Sequence, residues 1–403
     1  MKKIIYMMLT GALVLSLAGC GSTSNTANVE EGTTEQAVVE STVAETESSE
    51  VEITEEKVAE AETLATKVIV DHAGAEVEVP TEINRIVVGN TLPLASVLTV
   101  YLGGAEKIVG LHPASMGAAK SGLLSEIYPE ILEAETEFIN GTEINIEELL
   151  LLDPDIVIGV GAEQAQLLRD AGIPAVTVSV SNWNYDVVET YDQWISLFDD
   201  IFGESELSQR VSEYSNQAYA DIQEKVSAIA EEDKKRVMIL FNYSEETMST
   251  SGPVFFGQFW CDATGAINVA GDEEGMGNMT IDMEQVYEWN PEIIVITNFT
   301  SALPEDLYNN AIGGDDWSTV DAVKNGQVYK MPLGLYRTYT PGADTPVTLQ
   351  WFAKTVYPEL FEDVDIHQVT RDYFTEYYNI ELTDEQIESM FSPSRDSASG
   401  LSN

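Results

Sequence analysis

Residues Ile144–Val160 read INIEELLLLDPDIVIGV, and residues Ile281–Thr297 read IDMEQVYEWNPEIIVIT. The two align without a gap at an offset of 137 residues, setting Glu147 against Glu284, Pro154 against Pro291 and Asp155 against Glu292. Each copy is a short helical pattern, a turn broken by proline, and an apolar run of strand length. One such unit in each half of a chain predicts two lobes of related design.

The surrounding sequence repeats the same grammar. Before and after the first copy, apolar runs at Ile86–Val88, Lys107–Gly110, Asp155–Val160 and Ala175–Val180 alternate with helix-length stretches at Pro93–Tyr101, Ile146–Leu152 and Glu163–Ala171. Around the second copy the runs are Val237–Phe241, Glu292–Thr297 and Gln327–Met331, followed by helical patterns at Pro346–Tyr357, His367–Tyr377 and Asp384–Met390. Alternation of this kind predicts parallel strands with helical crossovers, an α/β chain of two Rossmann-like lobes. Between the halves, Ser205–Lys234 has no Gly or Pro, and Leu207, Val211, Tyr214, Ala218, Ile222, Val226 and Ile229 step by three or four. That spacing predicts one amphipathic helix bridging the lobes.

The ends read differently. Lys2 and Lys3 precede an apolar run, Ile4–Ala18, which is shorter than the ~20 residues a membrane span needs. The run Leu17-Ala18-Gly19-Cys20 resembles a bacterial lipobox, so Cys20 is expected to carry lipid after removal of the signal. Residues 21–66 hold twelve Glu, one Lys and no aromatic, the composition of a solvated tether. The expected organisation is therefore signal 1–20, disordered acidic tether 21–66, first lobe 67–204, interlobe helix 205–234, second lobe 235–391 and a flexible Ser-rich tail 392–403.

The formal net charge is −50, of which −41 remains on residues 67–403. Nucleic-acid binding depends on basic side chains displacing counterions, so this field excludes it. Two cysteines, Cys20 and Cys261, exclude a disulfide scaffold and a four-cysteine zinc site. Three scattered histidines, His72, His112 and His367, argue against a bare transition-metal site.

Taken in order, VIVDHAGAEVEVP (68–80), NRIVVGN (84–90), the first repeat unit and AVKNGQVYKMP (322–332) resemble class III periplasmic-type substrate-binding proteins of ABC importers. The resemblance covers Val68–Met390 and implies a rigid interlobe helix with a ligand cleft between the lobes. It further implies cargo such as an iron–siderophore complex, haem, cobalamin or molybdate, and docking onto a membrane permease and its ATPase through one Glu per lobe. Glu147 and Glu284 occupy those positions, and rim charges of this kind set orientation and encounter rate.

Ligands of open α/β lobes sit beyond the carboxyl ends of the strands. That rule selects Asn90, Thr91, His112 and Trp183 in the first lobe, and Tyr243, Ser251, Phe256, Asn298, Tyr336, Arg337 and Tyr339 in the second. Arg337 offers a fork of donors to a carboxylate or oxyanion; His112 could reach a chelated metal as an axial ligand. The aromatic run Phe255, Phe256, Phe259 and Trp260 suits a bulky, partly apolar ligand, with half of these rings expected in the core. The expectation is a lipid-anchored extracytoplasmic receptor, not an enzyme, with no covalent cofactor beyond lipid and a chelated metal, foremost a ferric siderophore, as its cargo. A surface hydrolase is the rival class, and the Gly-x-Ser-x-Gly elbow it needs does not occur.

Overall fold

The computed structural model describes residues 65–401. The expected signal, the expected lipidation position Cys20 and nearly all of the expected tether lie outside the described residues. The described chain opens on an antiparallel hairpin, Thr66–Val70 against Glu76–Pro80.

The first lobe is a four-stranded parallel sheet in the order Ile108–Leu111, Ile86–Val88, Ile156–Val160, Ala175–Thr177. The second repeats that order with Ile267–Asn268, Arg236–Tyr243, Ile293–Ile296 and Val328–Lys330, again parallel. It adds an antiparallel pair, Met248–Ser251 and Asn278–Thr280, beside the far end of Arg236–Tyr243. Side chains alternate between two covered faces: Val237 and Ile239 pack into one cluster, Met238 and Leu240 into another. Sheets covered on both faces explain why these strands read as continuous apolar runs.

The repeat extends to individual bonds. Asp155 Oδ2 accepts from the backbone N–H of Asn84 (2.7 Å) and Arg85 (2.9 Å), and Glu292 Oε2 accepts from that of Arg236 (3.1 Å). The Arg85 guanidinium donates to the Leu152 carbonyl, as Arg236 does to that of Trp289. The turn residues Asp153 and Asn290 both sit in the left-handed region, at φ 45° and 39°; short polar side chains tolerate this conformation best. Each repeat unit therefore carries its own lock on the strand that precedes it.

The interlobe helix runs over Glu206–Val226, not to Lys234. Continuing it would put the carboxylates of Glu231, Glu232 and Asp233 at the negative end of the helix dipole; the chain instead breaks and re-forms a single 3₁₀ turn there. Even so shortened, it bridges the lobes. Val211 lies in the core of the first, while Ala218, Ile222 and Val226 lie in that of the second.

Two further expectations are corrected. The helices Ile366–Tyr378 and Asp384–Phe391 return to the first lobe, where Tyr373, Phe374, Leu382, Ile387 and Met390 complete its core. The tail is not flexible as far as Leu401: it forms a 3₁₀ turn at Arg395–Ala398 with Ser397 fully buried. Its backbone carbonyls and the Arg395 guanidinium hold it in place.

Candidate ligand cleft

The first-lobe wall is built on strand ends. Asn90 follows Ile86–Val88, and its amide donates to the Thr142 carbonyl (3.1 Å) and to Gln164 Oε1 (2.8 Å). Its own oxygen is buried without a partner among the described residues. Thr91 is tied through its N–H to the Gly159 carbonyl (2.9 Å). Trp183 is half-buried and meets His72 edge-on, with centroids 4.9 Å apart.

His112 caps the helix Pro113–Ser121. Its Nδ1 accepts from the Ala114 N–H (3.0 Å), and its Nε2 lies 2.9 Å from the Gly141 carbonyl. A carbonyl only accepts, so Nε2 carries the proton and neither nitrogen is left for a metal. Burial and the charge of Arg337 push the His112 pKa down against the pull of that carbonyl. The expectation of an axial ligand is thus corrected. Among the described residues, no three His, Cys, Asp or Glu converge where a metal ion could sit.

The second-lobe wall is aromatic. Phe241 and Phe299 stack at 5.1 Å and 18°, and Phe255 meets Phe241 edge-on at 5.6 Å. All three rings are half-buried. Tyr185 of the first lobe touches Phe255 at 5.1 Å and Phe256 at 5.2 Å, so the lobes meet through rings. Phe241 emerges because Arg236–Tyr243 outruns its parallel partner, whose last pair is Leu240 with Ile296. Of these residues the Phe255 run is marked by its sequence, and Phe299 and Tyr185 lie on the loops that carry Asn298 and Trp183; Phe241 alone was missed. A strand longer than its neighbour was the available signal for Phe241.

Several expected ligand contacts are instead framework. Ser251 lies in the Met248–Ser251 strand, fully buried, where its hydroxyl accepts from Tyr339 Oη (2.8 Å) and from the Gly257 N–H (3.0 Å). Phe256 and Tyr339 are core residues. The Tyr243 ring is buried, with its hydroxyl shared among the Ile312 carbonyl, Asp315 and Trp317 Nε1. Asn298 donates to the carbonyls of Met331 and Pro332. Cys261 is buried as a small apolar residue, and burial pushes its thiol pKa up.

Arg337 is the unexpected centre. It is fully buried, and its donors go to the carbonyls of Asn298 (3.0 Å), Ser397 (2.9 Å), Ala114 (2.9 Å) and Ser399 (2.9 Å) and to the Tyr336 hydroxyl (3.0 Å). No carboxylate forms an ion pair with it among the described residues. One guanidinium thereby joins the first lobe, the second lobe and the tail. Nearby, buried Lys330 donates to the carbonyls of Thr297, Thr300 and Ala302, and burial lowers its pKa to about 7.

The Leu335–Thr340 loop is propped from below by Asp344, which accepts from the Leu335 N–H at 2.6 Å. Burial raises the Asp344 carboxyl to about 7 from an ordinary 3.8. The folded chain therefore keeps this proton where the unfolded chain has lost it, and stability falls as pH rises from about 4 to 7. An Asp344→Asn protein should match the wild type near pH 4 and exceed it by about 1–3 kcal/mol at pH 7. Denaturant melts at both pH values measure this; an unchanged gap would refute a buried, protonated Asp344. Lys330 acts with opposite sign above about pH 7, because its folded pKa is depressed.

Glu147 and Glu284 are exposed at matching places on the helices Ile146–Leu151 and Met283–Trp289. Asn145 and Asp282 cap those helices from equivalent positions. Glu148 aligns with Gln285, whose side chain closes the capping box with Asp282, which leaves Glu147 and Glu284 as the matched acidic pair.

A concavity of about 300 Å³ is lined by Asn242, Phe299, Ser301, Arg395, Ser399 and Leu401, at the second lobe's strand ends and beside the tail. Another, of about 660 Å³, lies against the long helix near Lys225 and Phe361, away from any strand end.

Two parallel lobes, a bridging helix and facing strand-end loops match a known design. The family model for periplasmic binding proteins aligns with residues 86–333. The chain belongs to the periplasmic binding protein family. A periplasmic solute binding protein from Veillonella parvula has a solved structure that is 30% identical, with a TM-score of 0.72, covering 81% of this chain and 97% of that one. The molybdate-binding protein MolA of Haemophilus influenzae is 26% identical over 342 residues, 78% of this chain and 92% of its own. A putative ABC transporter substrate-binding lipoprotein of Bacillus subtilis, YhfQ, is 21% identical over 283 residues, 67% of this chain and 82% of its own. This periplasmic binding protein is therefore an extracytoplasmic solute-binding component of an ABC transporter and not an enzyme, which removes the surface-hydrolase alternative.

Proposed function

We propose that the protein captures a chelated metal whose outer surface is largely aromatic or apolar, an iron–siderophore complex first among them, and passes it to an ABC permease. The observation that carries this reading is the half-buried wall of Phe241, Phe255 and Phe299 facing Tyr185. Flat rings left partly open at strand ends gain both area and stacking against a ligand of that kind. Haem and cobalamin have the same character and compete for the same wall. The Cys20 lipobox supports anchoring to the cell membrane, and the matched pair Glu147 and Glu284 supports docking onto a two-fold permease.

A molybdate-type oxyanion is the second reading. It is favoured by the buried, carboxylate-free Arg337 and by the likeness to MolA. Native mass spectrometry against a ferric tris-catecholate, haem, cobalamin and molybdate separates the two. Phe299→Ala should weaken a bound chelate about tenfold, the worth of one stacked ring, and leave molybdate binding unchanged. Binding of molybdate alone would overturn the first reading.

A further inference from the structure

The segment Ser394–Leu401 touches both lobes, lying against the Pro113–Ser121 helix of the first. On the second, Arg395 forks onto Asp306 at 2.6 and 2.7 Å and donates to the Ser301 carbonyl. On the first, Ser121 Oγ donates to the Asp396 carbonyl at 2.9 Å. Between them, the carbonyls of Ser397 and Ser399 take Nε and Nη2 of Arg337. The approach is close enough that a Cβ at Gly117 would overlap the Ser399 carbonyl, and one at Gly400 the Pro113 carbonyl.

The contacts of this segment are polar. Leu401 is its only large apolar residue, and the buried Ser397 hydroxyl has no partner among the described residues. Segments with so little apolar burial open at lower free energy than the core beneath them. On the other side of the contact, Arg337 is charged, buried and met by neutral acceptors alone. Anionic oxygens bond a guanidinium about twice as strongly as carbonyls do. The tail thus fills donors that an anionic ligand would use better.

We infer that Ser394–Leu401 is a removable strap, an occupant of the cleft supplied by the chain itself, which a ligand bearing anionic oxygens displaces from Arg337. The inference rests on the cleft being the ligand site, as proposed above. The strap keeps Arg337 satisfied while the receptor is empty and sets a threshold that weakly anionic solutes do not pass. Gly117 is the residue that makes room for it.

The test compares the full chain with a chain ending at Ser392 and with Gly117→Ala, titrated with a ferric tris-catecholate and with molybdate. Alanine favours the Pro113–Ser121 helix, so Gly117→Ala evicts the strap without depending on truncation. Both variants should bind at least tenfold tighter than the full chain, and identical affinities would overturn the strap. If neither probe binds any of the three proteins, the ligand reading fails, and amide exchange of the full chain decides the strap separately. Exchange of residues 394–401 at least a hundredfold faster than that of the Ile366–Tyr378 helix supports it. Exchange of the two segments together would make the tail a permanent part of the fold and overturn it.

Discussion

An Arg337→Gln protein is expected to lose about 2–4 kcal/mol of stability, read as a lowered denaturant midpoint. The carbonyls of Asn298, Ala114, Ser397 and Ser399 and the Tyr336 hydroxyl all lose a donor at once. Each buried carbonyl left unpaired costs about 1–3 kcal/mol. Two terms reduce the sum: the buried cation is no longer desolvated, and the tail carbonyls regain water if the tail leaves. Arg337→Lys should recover less than half of the loss, because an ammonium cannot reach acceptors spread around a planar fork. A midpoint equal to that of the wild type would show that this network does not hold the lobes together.

The second large effect is on delivery. Glu147→Lys combined with Glu284→Lys should cut ligand-stimulated ATPase activity of the reconstituted transporter at least tenfold while leaving ligand affinity unchanged. Both carboxylates are exposed, and neither forms an ion pair among the described residues, so reversal removes no internal bond. Reversing charge in the first turn of a helix costs only about 0.3–1 kcal/mol through the dipole. Each single reversal should act less than the pair, and Glu148→Lys should act least, since its counterpart is the capping Gln285. Full stimulation by the double variant would remove these residues from the docking surface.

The repeat proved a good guide because it reports local bonds. A carboxylate after proline holds the neighbouring strand, in both copies, and composition preserved that pairing even where Asp155 became Glu292. The interlobe helix stops short of the expected Lys234 because absence of Gly and Pro permits a helix without requiring one; the acidic run 231–233 opposes it at that end. The C-terminal helices join the first lobe and not the expected second, because periodicity shows which face is apolar, not which core receives it. At the cleft, loop positions were readable but side-chain directions were not. Ser251 and Tyr243 are the last residues of their strands and Tyr339 lies in a loop after one, yet all three are buried in the core, whereas Phe241 emerges from within a strand. The fork of donors on Arg337 is legible, yet two of its five acceptors lie on a Ser-rich tail whose sequence resembles disorder.

The return of the last two helices to the first lobe has a consequence for biogenesis. Tyr373, Phe374, Leu382, Ile387 and Met390 belong to a core that begins at Ile69. During synthesis, amino-terminal parts usually fold first, but here the first lobe lacks a wall until the Asp384–Phe391 helix has emerged. Contacts separated by about 300 residues also close slowly. A nascent chain therefore stays loose while it is being made, which is the state in which a protein bound for the far side of a membrane can be threaded across. Its order of folding agrees with its address.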